Sequence, residues 1–176
     1  MSVKHVRGSV VKGYLKFMKR FWDRDVAEEF LDITGIKTEK ISEIEWYDIS
    51  VLKGIHRHVA DTKDEKYIKI IGNYTVKDLG VLSYLVRFSD IKSLLKKAPK
   101  SYAQAYDFGK VSIEWTDQGA ILKMKDTSFD EYACLGWLGA FEGMLEITHT
   151  IGTVKEIECQ KDGNPRCVFE IKWKNR

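Results

Sequence analysis

The chain has 176 residues, a formal net charge of +3, 44% hydrophobic and 31% charged residues. That balance excludes a disordered or collagen-like chain and suits one globular domain over residues 1–176 with a core of its own. No apolar run approaches the roughly 18 residues of a membrane span, M-S-V-K-H-V-R-G has no signal-peptide character, and no broad basic face suggests nucleic acid, so the expected setting is cytoplasmic.

In chain order, residues 9–31 carry a helical period. Val10, Tyr14, Phe17 and Phe21 recur at spacings of three and four. Asp23 is a candidate cap for a second segment, and Gly35 is a stop. A connection follows, and then W-Y-D-I-S at 46–50, with Ser50 a plausible cap for a helix that turns Leu52, Ile55 and Val59 inward. Two more helices are expected over Asp64–Gly72 and Lys77–Lys97, the latter ended by Pro99. Its lysines, Lys92 to Lys100, read as a solvated face.

The period then changes. V-S-I-E-W at 111–115 alternates strictly, T-D-Q-G turns, and Ala120–Lys125 returns as a second strand. Ser128 and Glu131 have capping-box spacing ahead of a helix running to about residue 147. Thr153–Cys159 and Cys167–Trp173 are two further strands around K-D-G-N-P. The expected fold is therefore α+β: an N-terminal helical block packed on a four-stranded antiparallel sheet, with a β-β-α-β-β C-terminal half.

Three cysteines do not make a disulfide framework in a cytosolic chain. Cys159 and Cys167 flank a tight turn, Glu156 lies three residues before the first, and Cys134 opens the preceding helix. Metals of the zinc type favour such ligands. However, Glu156 and Cys159 face opposite ways on an ideal strand, so a bulge or the onset of the turn would be needed. On spacing alone, small core thiols are the plainer reading.

In the helix C-L-G-W-L-G-A-F-E-G-M-L, Gly136, Gly139, Ala140 and Gly143 form a stripe of small residues. Close packing explains it, or room for a ligand beside Trp137 and Phe141 does. Tyr106 and Trp115 add aromatic candidates for such a pocket. The histidines offer little: His56 reads as exposed, and His149 as a loop residue or a spare ligand. No catalytic motif or nucleophile–base arrangement is visible, so no enzyme is indicated.

Together, C-L-G-W-L-G-A-F-E-G-M-L-E, G-T-V-K-E-I-E-C and G-N-P-R-C-V-F-E-I resemble the 4-vinyl reductase (4VR) domain family, matching at Glu156, Cys159, Gly163, Cys167 and Phe169. Upstream, K-G-Y-L-K-F-M-K-R-F-W, W-Y-D-I-S and S-Y-A-Q-A-Y-D-F-G-K-V-S-I-E-W resemble proteins that share the fold of haem–nitric-oxide-binding domains and TRAPP tethering subunits. The resemblance implies a ligand cavity between helices and sheet, commonly in a homodimer. It also implies a structural zinc held by Cys134, Glu156, Cys159 and Cys167. A Y-x-S-x-R clamp for haem propionates is absent, so haem is not expected.

The expected function is thus a non-catalytic, sensor-type domain for a hydrophobic or aromatic small molecule. Its pocket would involve Tyr106, Trp115, Trp137, Gly139, Phe141 and Gly143. Its signal would pass to an unknown protein partner, since the chain shows no ATPase or DNA-binding domain. The alternative is a TRAPP-like adaptor acting through a dimer or partner interface without ligand.

Overall fold

The structure is a computed structural model and describes residues 3–22, 26–78 and 90–174. Its architecture is the expected α+β one. Six α-helices accompany a four-stranded antiparallel sheet among the described residues.

The N-terminal block begins with β1 (His5–Arg7), then α1 (Gly8–Phe21) and α2 (Val26–Thr34). Asp23, the expected cap of the second segment, lies outside the described residues. Gly35 does stop α2: its φ is +69° and its N–H donates to the Leu31 carbonyl at 2.7 Å. Next come β2 (Trp46–Asp48), α3 (Ile49–Thr62) and α4 (Lys66–Lys77). Trp46–Asp48, to which the sequence pattern assigned no element, is therefore a strand. β2 pairs antiparallel with β1, with Val6 opposite Tyr47. Three-residue strands are too short to show a period, which is why the sequence hid them. Asp48 rather than Ser50 caps α3, its carboxylate accepting from the Ser50 N–H at 2.8 Å.

The expected helix over Lys77–Lys97 is not continuous. α4 stops at Lys77, and a new helix, α5 (Ile91–Ala105), starts behind Asp90, whose carboxylate accepts from the Ser93 N–H at 2.9 Å. The leucine-rich face from Leu79 to Val86 lies outside the described residues. Pro99 sits inside α5 instead of ending it. An interior proline costs about 3 kcal/mol. Burial of Leu95 and Tyr102 on either side of it offsets that cost, at roughly 1.5–3 kcal/mol for each large side chain.

The sheet comprises β3 (Lys110–Thr116), β4 (Gly119–Lys125), β5 (Gly152–Glu158) and β6 (Cys167–Trp173), in spatial order β3-β4-β6-β5. Ala120, Leu122 and Met124 of β4 stand opposite Ile171, Phe169 and Cys167 of β6, and all six are buried. Helix α6 (Ala133–Ile147) covers this face, with Phe141 against Phe169 at 5.2 Å between ring centroids. The Ser128–Glu131 capping box does not form. α6 starts two residues beyond Glu131, because Asp130 is drawn towards α3.

Helices α4 and α6 make the most extensive interhelical contact. Their backbones touch at glycines. A Cβ on Gly139 would lie 1.9 Å from the Lys69 carbonyl oxygen, and one on Gly143 would lie 2.7 Å from that of Asn73. The small-residue stripe is thus a packing seam. Lys69–Glu142 at 2.8 Å and Lys77–Glu146 at 2.6 Å lace its exposed margin.

The hydrogen bond from Lys77 holds the Glu146 carboxyl below its ordinary pKa, with Asn73 adding to the effect. A depressed carboxyl pKa stabilises the fold above the unfolded value, and the contribution is lost as pH falls through the folded value. Glu146→Gln should therefore cost a few tenths of a kcal/mol at pH 7. The difference from the parent should vanish in acid, measured by denaturant melts across pH 7 to 3.

Candidate metal cluster and buried polar core

Glu156 and Val154 lie opposite Phe169 and Ile171, so alternation points both towards the core face of the sheet. Continued alternation would turn Cys159 outward. Instead the β5–β6 register slips between Glu156 and Glu158, and the extra residue brings Cys159 back to the inner side. Cys167 opens β6 on that same side, fully buried, and Cys134 sits in the first turn of α6 above it.

The ligand atoms of Cys134, Glu156, Cys159 and Cys167 all lie within 4.8 Å of one another. Cys134 Sγ is 3.5 Å from Cys159 Sγ and 3.4 Å from Cys167 Sγ. A tetrahedral ion with metal–sulfur bonds of about 2.3 Å separates its sulfurs by roughly 3.8 Å. The spacing is far longer than a disulfide, and all three thiols are free.

The Gln160 N–H donates to Cys167 Sγ at 3.3 Å. The Cys134 thiol and this N–H lower the Cys167 pKa to about 7. That thiolate, burial and Glu156 push Cys134 up, and burial first of all pushes Cys159 up. Glu156 Oε1 is buried without a hydrogen-bond partner among the described residues. Four potentially anionic groups therefore crowd one spot.

The six expected pocket residues do not form one pocket. Tyr106 and Trp137 face each other at 5.2 Å between ring centroids. Trp115 is 48% exposed at the sheet edge, lining a shallow surface groove with Lys92 and Lys96. Phe141 is buried against the sheet, while Gly139 and Gly143 are spent on the α4 contact.

The sequence reading missed a buried polar chain. His56, expected on the surface, is 1% exposed. Its Nδ1 is 2.8 Å from Asp130 Oδ2, and its Nε2 is 2.9 Å from Tyr14 Oη. A carboxylate only accepts, so in the neutral ring Nδ1–H donates to Asp130 and Nε2 accepts from Tyr14. Asp130 Oδ1 also accepts from the Tyr132 N–H at 2.9 Å. Burial, then the Asp130 charge, raises the Tyr14 pKa, so its hydroxyl stays protonated as the donor. A signal was present: Leu52, Ile55, His56 and Val59 follow the i, i+3, i+4, i+7 spacing of one helix face.

No protein-family model and no curated protein matches the sequence. Solved structures do match its fold. An H-NOX protein from S. oneidensis, in its Fe(II)NO ligation state, superimposes with a TM-score of 0.78 at 16% identity, over 96% of this chain and 99% of its own. An H-NOX structure used to probe haem distortion gives 0.77 at 18% identity, over 96% and 95%. An oxygen-binding H-NOX domain related to soluble guanylate cyclases, as its oxygen complex, gives 0.75 at 17% identity, again over 96% and 95%.

These neighbours correct the 4-vinyl reductase assignment, since the fold they share with this chain is that of the haem-NO/oxygen-binding proteins. The residues behind that assignment answer local needs of a hairpin: Gly163 takes a left-handed turn at φ +87°, and Phe169 fills the core. The cofactor expectation, structural zinc and no haem, is corrected as well. Haem is the group named for the neighbours, and zinc has no support beyond the cysteine cluster. Nor do the neighbours point to a hydrophobic or aromatic ligand, because NO and oxygen are the ligands named for them.

A haem iron held by histidine needs a free ring nitrogen. His56 is the buried histidine among the described residues, and both of its nitrogens are engaged. His5 and His58 pair with Asp107 and Glu29, and His149 is exposed. As arranged, no buried histidine nitrogen is free for iron. No described helix is long and apolar enough to cross a membrane.

Proposed function

We propose that this chain is a non-catalytic ligand-sensing domain, with a metal-bound cluster at Cys134, Glu156, Cys159 and Cys167 fastening its C-terminal hairpin to α6. The carrying observation is the convergence of those four side chains from three elements, all within 4.8 Å. The fold shared with NO-ligated and oxygen-binding H-NOX proteins supports the sensing role. The ligand site lies between α5 and α6, where Tyr106 meets Trp137. The cluster sits at the start of α6, so holding it fixes the helix that carries Trp137.

A soft divalent ion is the species this donor set suits, because it neutralises crowded thiolates and satisfies the orphaned Glu156 oxygen. Elemental analysis of protein purified without chelator should find about one metal ion per chain and identify it. Cys159→Ser should lose that ion and melt at lower temperature. Because binding displaces thiol protons, loading should tighten as pH rises. A metal-free protein with three titratable thiols would sink the cluster's role. Native mass spectrometry on the same sample reads any co-purified ligand.

A further inference from the structure

Tyr102 Oη, Thr127 Oγ1 and Trp137 Nε1 are buried, and none has a hydrogen-bond partner among the described residues. Tyr102 is 6% exposed and Thr127 is fully buried. The three belong to α5, the loop after β4, and α6, and Tyr102 neighbours both of the others. Tyr102 packs on Trp137 at 5.5 Å and stacks on Tyr106 at 5.0 Å between ring centroids. Gly109, in the left-handed region at φ +71°, closes the same spot. A Cβ there would lie 2.9 Å from both Tyr102 Oη and Thr127 Cγ2.

An indole N–H only donates, and both hydroxyls can donate. We infer that Tyr102, Thr127 and Trp137 form a subsite for the acceptor oxygen of a small neutral ligand, a carbonyl being the simplest. This deepens the sensing reading above and rests on it. The ligand is neutral because the charges of Asp107 and Asp126 act on the Tyr102 hydroxyl, disfavouring an anion, and no described carboxylate hydrogen-bonds to these donors to hold a cation. Phe108 and Phe129 form the apolar wall beside Tyr106. Trp137 is only partly buried, so the subsite lies one side chain from solvent.

The test uses the full chain, with cyclohexanone as probe and cyclohexane as the matched molecule without an acceptor. The readout is the indole N–H resonance of Trp137, assigned through Trp137→Phe. Cyclohexanone should shift that resonance saturably, and cyclohexane should not. Thr127→Val and Tyr102→Phe should each weaken the probe roughly fivefold to tenfold. Without probe, both variants should be as stable as the parent or more so, because each removes an unpaired buried hydroxyl.

An unmoved Trp137 resonance would overturn the subsite. So would variants that lose stability yet bind the probe unchanged, since the hydroxyls would then serve an internal water. Either failure concerns the subsite alone. The sensing reading is judged separately, by metal content and co-purified ligand.

Discussion

His56→Ala should lower the unfolding free energy by about 3–5 kcal/mol, because it leaves two buried polar partners unmatched and opens a cavity. Asp130 would keep its carboxylate in a 7% exposed side chain with no ring N–H to meet it, and Tyr14 would lose its acceptor. Phe129, stacked on the imidazole at 5.5 Å, would face a void. For a chain of this size the melting temperature should fall by roughly 6–20 °C. Tyr14→Phe is the graded comparison: it strands only His56 Nε2 and should cost about 1–3 kcal/mol. If His56→Ala melts within 2 °C or so of the parent, the Tyr14–His56–Asp130 chain does not join the helical block to the sheet half.

Gly139→Ala should be the second large effect, and its sign runs against helix propensity. Alanine in a helix gains up to about 1 kcal/mol over glycine. Here the new methyl would sit 1.9 Å from the Lys69 carbonyl oxygen and 2.8 Å from its carbon, both backbone atoms of α4. Neither can rotate away, so the helices must part, at about 1–3 kcal/mol or more. Gly54→Ala is the control. Its methyl would meet Ile33 Cγ2 at 2.8 Å, the end of a movable side chain, so little should change. Parallel melts of the two variants check this; equal stability would mean that α4 and α6 are not in backbone contact.

Strict alternation over 111–115 and the four-strand count were legible because period-two and period-3.6 patterns follow directly from where Cβ atoms point. The cluster residues were legible as candidates, while the bulge that brings Cys159 inward was not, since an extra residue leaves no mark in the pattern. β1 and β2 were too short to show a period. Asp130 was misassigned because it lies within a capping-box sequence, and only the tertiary position of His56 shows where its carboxylate goes. The family assignment failed for a related reason. Five matched residues in a hairpin record what a hairpin requires, and the whole fold proved the better discriminator.

The strand order β3-β4-β6-β5 has a consequence during translation. β6, the last of these four strands to be made, lies between the β3–β4 hairpin and β5. Until Cys167–Trp173 leaves the ribosome, the nascent hairpin carries Leu122 and Met124 without the strand that pairs beside them. At about 5–20 residues per second, that exposure lasts several seconds. The helical block can fold while the chain is still being synthesised, but the sheet must wait. A chaperone would therefore be needed most by chains stalled between Lys125 and Cys167.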